Sequence, residues 1–142
     1  MSPEIQQRLP HSAAADRRDA TAGSRPLIRC TCWGTRGSIP SPGPATTGFG
    51  GNTPCIEVRT AAGDCLIFDA GTGIRELGRR LAAAGRPVRA DIFLSHFHWD
   101  HIQGLPFFAP LYDANTSIRI HGARQDGIDI EPIVRGLMTP TY

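Results

Sequence analysis

His96, His98, Asp100 and His101 place four metal-ligand side chains within six residues, directly after the apolar run Ile92-Phe93-Leu94. If Ile92 to Ser95 is a buried strand, an extended continuation puts His96 and His98 on one side, two residues apart, so that two imidazoles can share one cation. Asp100 and His101 fall where the chain must turn, with Gly104 and Pro106 close behind, and can face a second position beside the first. Imidazole nitrogens with one carboxylate and no thiolate suit zinc first, with iron or manganese as alternatives where the carboxylate binds. A helical zinc site would need histidines one turn apart with a glutamate between them, and Trp99 follows His98, so that reading fails. A lone histidine near a strand end is usually a packed or surface residue, but four ligand types this close make a chance cluster a poor explanation.

Elements with ordinary sequence signals lead up to this cluster. Leu27 to Trp33 alternates apolar and polar residues and predicts a strand, followed by a Gly/Pro/Ser-rich loop from Gly34 to Asn52 that is long enough to border a site. Thr53 to Thr60 and Asp64 to Phe68 predict a hairpin around Ala61-Ala62-Gly63. Ile74, Leu77 and Leu81 recur at helical spacing from a start near Thr72, with Gly85 and Pro87 as the stop, and that stripe predicts core packing. Asp91 to Ser95 is the strand expected to deliver the histidine cluster. Pro106 and Pro110 interrupt any long helix in the apolar segment Ile102 to Tyr112, and a last short helix is expected within Gly127 to Met138. No internal repeat is visible.

The pattern His96-x-His98-x-Asp100-His101, preceded one helix and one strand earlier by Phe68-Asp69-Ala70-Gly71-Thr72-Gly73, resembles the metallo-β-lactamase superfamily of metal-dependent hydrolases. Trp33-Gly34-Thr35-Arg36-Gly37-Ser38-Ile39-Pro40 and Gly50-Gly51-Asn52-Thr53 are similar to the branch that holds ribonuclease Z and phosphodiesterases of cyclic nucleotides and phosphonate pathways. The likeness runs from about Leu27 to the end of the chain. It implies an α/β fold, an αββα sandwich with a dinuclear site at one edge of two facing sheets, of which this chain is expected to supply only the N-terminal half. By position, the resemblance implies that His96 and His98 hold one divalent cation, and that Asp100 and His101 hold the other. It implies zinc at both positions, with manganese or iron as alternatives. Asp100 is then the general base, and Asp69 steadies the metal loop from behind, a role weighed equally against a plain turn-forming aspartate. A complete member supplies further histidines and a bridging aspartate downstream, and none can be assigned here. The implied reaction is hydrolysis of a small-molecule or nucleotide phosphodiester by hydroxide formed between two cations. The alternatives are a non-catalytic metal-binding or interaction module and part of a tRNA-processing endoribonuclease.

The 142 residues carry a net charge of +2 and 40% hydrophobic content, with no run of membrane-spanning length, so composition predicts a globular protein, expected in the cytoplasm. That charge is too small to indicate nucleic acid by itself, although the substrate class allows it. Residues 1–26 mix Ala, Ser, Arg, Gln and Asp without an apolar core of signal-peptide length and predict a disordered extension before a partial domain over 27–142. Half of a sandwich leaves an apolar sheet face uncovered, so association or pairing in a homo-oligomer is expected. Arg36, among loop glycines, is the best candidate to touch an anionic substrate, against an equal expectation that it pairs with a surface carboxylate. His11 and His121 are not expected to ligate. Cys30 and Cys32 share a strand face, with Cys55 and Cys65 in the next two strands. Buried reduced thiols are expected rather than a four-thiolate site or disulfides.

Overall fold

The computed structural model describes residues 27–139, so the extension expected over 1–26 lies outside the described residues. Five strands form one mixed sheet in sequence order: β1 (Ile28–Gly34), β2 (Cys55–Thr60), β3 (Cys65–Phe68), β4 (Arg89–Leu94) and β5 (Ser117–Gly122). The first three run antiparallel and the last three parallel. The expected β2–β3 hairpin forms, closed by the Gly63 N–H on the Thr60 carbonyl at 3.0 Å with Gly63 at φ 95°, a conformation that costs glycine little.

Two parallel neighbours cannot be joined by a tight turn, and α1 (Gly73–Ala83) makes the crossover from β3 to β4. Its stripe of Ile74, Leu77 and Leu81 is buried as the periodicity predicts, packed into one core with Ile67, Ile92, Leu105 and Phe108. Each such side chain removed from water contributes roughly 1.5–3 kcal/mol. Gly85, at φ 63°, ends the segment. The prolines act as expected: Leu105–Phe107 and Ala109–Tyr112 are short 3₁₀ turns rather than one helix. One helical turn, α2 (Trp99–Ile102), follows β4, and α3 (Ile130–Met138) closes the described chain, packing Ile130, Ile133, Val134 and Leu137 against the core. No helix among the described residues is long and apolar enough to cross a membrane.

Register decides what each sheet face carries. Cys55, Ile67, Ile92 and Leu94 point to the α1 side and are buried. Glu57 shares that side and is only 1% exposed, because Arg59, Arg80 and the Trp33 indole close over its carboxylate. The opposite face carries Cys32, Ile56, Phe68 and Phe93, which are partners in successive ladders. Ile56 and Phe68 are 38% and 41% exposed there, so this apolar face is open among the described residues, as half of a sandwich requires.

The cysteine expectation needs correcting in part. All four thiols are free, and Cys55 and Cys65 are buried, but Cys30 and Cys32 are exposed. They stand on the open face of β1, where no described element lies over them. Burial, before any nearby charge, pushes the Cys55 thiol far above its ordinary range.

Candidate metal centre

Three loops meet beyond the carboxyl ends of the parallel pair β3 and β4. Ligand sites in open α/β sheets commonly lie beyond these strand ends, in the crevice between neighbouring loops. The loop after β4 carries Ser95 to His98 and runs into α2, which holds Asp100 and His101. The loop after β3, Asp69 to Thr72, packs beneath it: the Ala70 N–H donates to the His101 carbonyl at 2.7 Å and the Gly104 N–H to the Ala70 carbonyl at 2.8 Å. A Cβ on Gly71 would run into the backbone carbonyl of Asp100, so only glycine lets the two loops approach this closely.

Asn52 and Thr53 brace the same loop from the third side. The Thr72 N–H donates to Thr53 Oγ1 at 2.7 Å, the Thr53 N–H to Thr72 Oγ1 at 2.9 Å, and the Thr72 hydroxyl to Asn52 Oδ1 at 3.2 Å. Backbone N–H groups of Thr35 and Arg36 both reach the Asn52 carbonyl. This mutual bracing ties the long loop to the Asp69 loop before either meets the histidines.

The structure brings together all four residues of the histidine-aspartate pattern. The His96 ring lies 4.5 Å from His98, edge to face, and 4.0 Å from His101, centroid to centroid. His101 Nε2 is 3.4 Å from Asp100 Oδ2. Asp100 is buried, His96 and His101 half-buried, and His98 exposed. The Ser38 N–H donates to Asp100 Oδ2 at 2.8 Å, and this bond, ahead of the His101 charge, holds the Asp100 carboxyl below the usual carboxylate range.

Asp69 faces the same cluster from below. Its carboxylate accepts from the Ser95 N–H at 2.8 Å and from the Ser95 hydroxyl at 2.8 and 2.9 Å, and its Oδ2 lies 2.9 Å from His101 Nδ1. Ser95 Oγ is also 3.0 Å from His96 Nδ1. Asp69 and Ser38 sit at φ 61° and 71°, in the left-handed region that non-glycine residues seldom occupy, and both touch the cluster directly. Asp69 thus turns the chain and contacts Ser95 and His101 from one backbone conformation.

The donor chemistry fits a divalent cation. Nδ1 of His96 and of His101 each face a hydrogen-bonding oxygen, and His101 Nε2 lies beside the Asp100 carboxylate, so imidazole nitrogens and a carboxylate are gathered as a zinc-type donor set. No group of three or more histidine, cysteine, aspartate or glutamate side chains among the described residues is itself arranged to hold a metal ion, so the set supplies donors without a closed shell.

Of the other sequence candidates, Arg36 is exposed and lines a shallow cavity of about 410 Å³ with Thr46 and Phe49, two residues before Ser38. His121 stays outside the cluster: its Nε2 lies 2.7 Å from Asp91 and its ring stacks on Phe93 at 4.7 Å. Sequence assigns no role to Ser38, Ser95, Thr53 or Thr72, although Ser38, Thr53 and Thr72 lie within the three quoted motifs and Ser95 stands next to the first histidine.

The family model described as the metallo-beta-lactamase superfamily matches residues 48–126, more than half of the chain. The chain is 32% identical over 80 residues to Ribonuclease Z of Methanosarcina acetivorans, covering 56% of this chain and 23% of that protein. It is 36% identical over 78 residues to Ribonuclease Z of Thermococcus kodakarensis, covering 51% and 24%. Over 44 residues it is 48% identical to Ribonuclease Z of Treponema pallidum, covering 31% and 14%. The chain thus spans about a quarter of the length of the first two relatives. No solved structure matches it.

Proposed function

Because the chain belongs to the metallo-beta-lactamase superfamily, we propose that it carries the first ligand set of a metal-dependent hydrolase that cleaves phosphodiester bonds. The observation that carries this reading is the pairing of His101 Nε2 with Asp100 Oδ2 at 3.4 Å. Ligand atoms about 2.1 Å from a tetrahedral zinc stand roughly 3.4 Å apart, so these two donors have the separation of neighbours on one cation.

His96 and His98 would hold one cation, and Asp100 and His101 a second. Zinc suits the imidazole-rich set, with manganese or iron as alternatives. When bound, such cations supply charge stabilisation at an anionic phosphorus centre and a water of lowered pKa. The protein's own part is positional. Asp69 and Ser95 hold two imidazoles in place, and the Ser38 N–H keeps Asp100 an acceptor, so Asp100 is the group that would take a proton from attacking water. Arg36, beside Ser38 on the glycine-rich loop, is placed to meet a phosphate oxygen. Asp100 is the proposed catalytic residue, and Arg36 the proposed substrate contact.

One finding favours a ribonucleic substrate within that class. The relatives matched in both archaea and a bacterium are each named Ribonuclease Z, which supports an RNA phosphodiester over a small cyclic nucleotide.

Metal content tests the ligand assignment. The 142-residue chain equilibrated with Zn²⁺ and then desalted should retain metal by inductively coupled plasma mass spectrometry, and an Asp100→Ala/His101→Ala double variant, which keeps only His96 and His98, should retain less. Equal metal in both would overturn the assignment. For the reaction class, Zn²⁺- or Mn²⁺-dependent turnover of bis(p-nitrophenyl) phosphate, absent with Asp100→Ala, is expected. Turnover of a β-lactam and not of the diester would replace it.

A further inference from the structure

We infer that Ser95 is a positioning residue that selects the ring tautomer of His96, placing its proton on Nδ1 and leaving Nε2 bare. The inference deepens the metal-centre reading and rests on it for its functional meaning, although the tautomer itself can be observed without any metal.

The argument is a count of donors and acceptors. A serine hydroxyl has one hydrogen to give and lone pairs to receive with. Ser95 Oγ lies 2.8 and 2.9 Å from the two oxygens of Asp69, and a carboxylate only accepts, so the serine hydrogen is committed to Asp69. What Ser95 then shows to His96 Nδ1, 3.0 Å away, is a lone pair. For that contact to be a hydrogen bond, Nδ1 must carry the proton. The nitrogen engaged by a neighbour fixes the state of the other, so Nε2 is left as the acceptor.

His101 reaches the same state by a shorter route, its Nδ1 lying 2.9 Å from Asp69 Oδ2. One carboxylate therefore sets two rings, His101 directly and His96 through the Ser95 hydroxyl. The backbone makes this relay rigid. The Ser95 N–H is itself bonded to Asp69 Oδ1 at 2.8 Å, and the Asp69 N–H donates to the Phe93 carbonyl at 2.9 Å, so the hydroxyl has a fixed origin at the end of β4. Deleting the hydroxyl removes the only hydrogen-bond partner of His96 Nδ1 among the described residues, whereas His101 Nδ1 loses only a long contact to Ser95 Oγ at 3.4 Å and keeps Asp69 Oδ2 at 2.9 Å.

Long-range ¹H–¹⁵N correlation spectra of the imidazoles read tautomers directly. They would be recorded on the metal-free 142-residue chain at about pH 8.5, where an ordinary histidine is neutral, with His96→Gln and His101→Gln variants for assignment. Wild type should show His96 and His101 protonated on Nδ1. Ser95→Ala should move His96 toward the Nε2-protonated form while His101 stays unchanged, and Ser95→Thr, which keeps the hydroxyl, should restore the wild-type pattern. A wild-type His96 protonated on Nε2, or a His96 pattern indifferent to Ser95→Ala, overturns the inference. The wild-type spectrum decides even if the alanine variant does not fold. Zn²⁺ titration separates the two readings: Ser95→Ala should weaken Zn²⁺ binding by roughly 10–100-fold, with threonine recovering it. Wild type that binds no Zn²⁺ yet shows Nδ1-protonated His96 defeats the metal reading and leaves tautomer selection standing.

Discussion

Replacing Glu57 by glutamine should cost the fold about 2–3 kcal/mol, a large share of the stability of a domain this size. The side chain is 1% exposed and receives the Arg59 Nε at 2.7 Å, the Arg80 Nη2 at 2.8 and 3.1 Å, and the Trp33 indole N–H at 3.2 Å. Hydrogen bonds to a charged group contribute about 1.5–3 kcal/mol each. Arg59, at 25% exposure, keeps most of that value, whereas Arg80 is 52% exposed and its pair is discounted toward the roughly 0.2–1 kcal/mol of solvent-facing pairs. Glutamine also turns an amide N–H₂ toward guanidinium donors, so at least one contact becomes donor against donor. With a urea m-value of about 2 kcal/mol/M, the unfolding midpoint should fall by about 1–1.5 M at unchanged m. Arg80→Ala, which leaves Arg59 and Trp33 in place, should lose less than about 1 kcal/mol. A Glu57→Gln midpoint within about 0.3 M of wild type, or one no lower than that of Arg80→Ala, would refute the view that a buried carboxylate organises this corner.

Further expectations follow from single contacts. Gly71→Ala should destabilise by about 1–3 kcal/mol and abolish Zn²⁺ retention, because its Cβ meets the Asp100 backbone. Gly43→Ala, which meets nothing within 4 Å, should leave urea midpoint and metal content unchanged. Hydrogen bonds from Arg119 and then His121 hold the Asp91 carboxyl below the usual range. Its contribution to stability is therefore present above pH about 4 and lost as pH falls through the lowered folded value, and Asp91→Asn should flatten the acid limb of midpoint against pH. Mass spectrometry after brief iodoacetamide treatment should find Cys30 and Cys32 alkylated, with Cys55 and Cys65 protected until denaturant is added. The open face around Ile56 and Phe68 should drive association of the 142-residue chain on a sizing column, relieved by Phe68→Glu, and a monodisperse wild-type monomer would count against it.

Much of this fold was legible because its signals are local. Helical spacing of Ile74, Leu77 and Leu81 and the glycine-closed hairpin each need only a few neighbouring residues to be read, and both formed where expected. The histidine cluster was legible by density of ligand types alone. What sequence concealed is the long-range bracing. The Ser38 N–H meets Asp100 across 62 positions, and Thr53 pairs with Thr72 across 19, through groups that look like ordinary loop residues until the loops are folded together. Glu57 was opaque for a related reason: alternation puts it on the buried side of β2, a place its carboxylate occupies because Arg59 beside it, and Arg80 and the Trp33 indole 23 and 24 residues away, close over it. Exposed Cys30 and Cys32 show the converse, since alternation gives their face but not what covers it.

The two non-glycine residues in left-handed conformation near the cluster, Ser38 and Asp69, explain how so open a corner keeps its geometry. Each such residue costs about 1–3 kcal/mol and persists only where its surroundings over-determine it. Asp69 is fixed from three directions, by its own N–H on the Phe93 carbonyl, by Ser95 and by His101, and Ser38 through the carboxylate of Asp100. These contacts use backbone N–H groups and short side chains, which lose little rotamer freedom when ordered. The long loop and the strand ends thus constrain His101 and Asp100 before any cation contributes. Positioning and the proposed ligation therefore rest on different residues, and on that proposal a substitution at Ser95 would disturb a histidine's chemistry without removing a ligand.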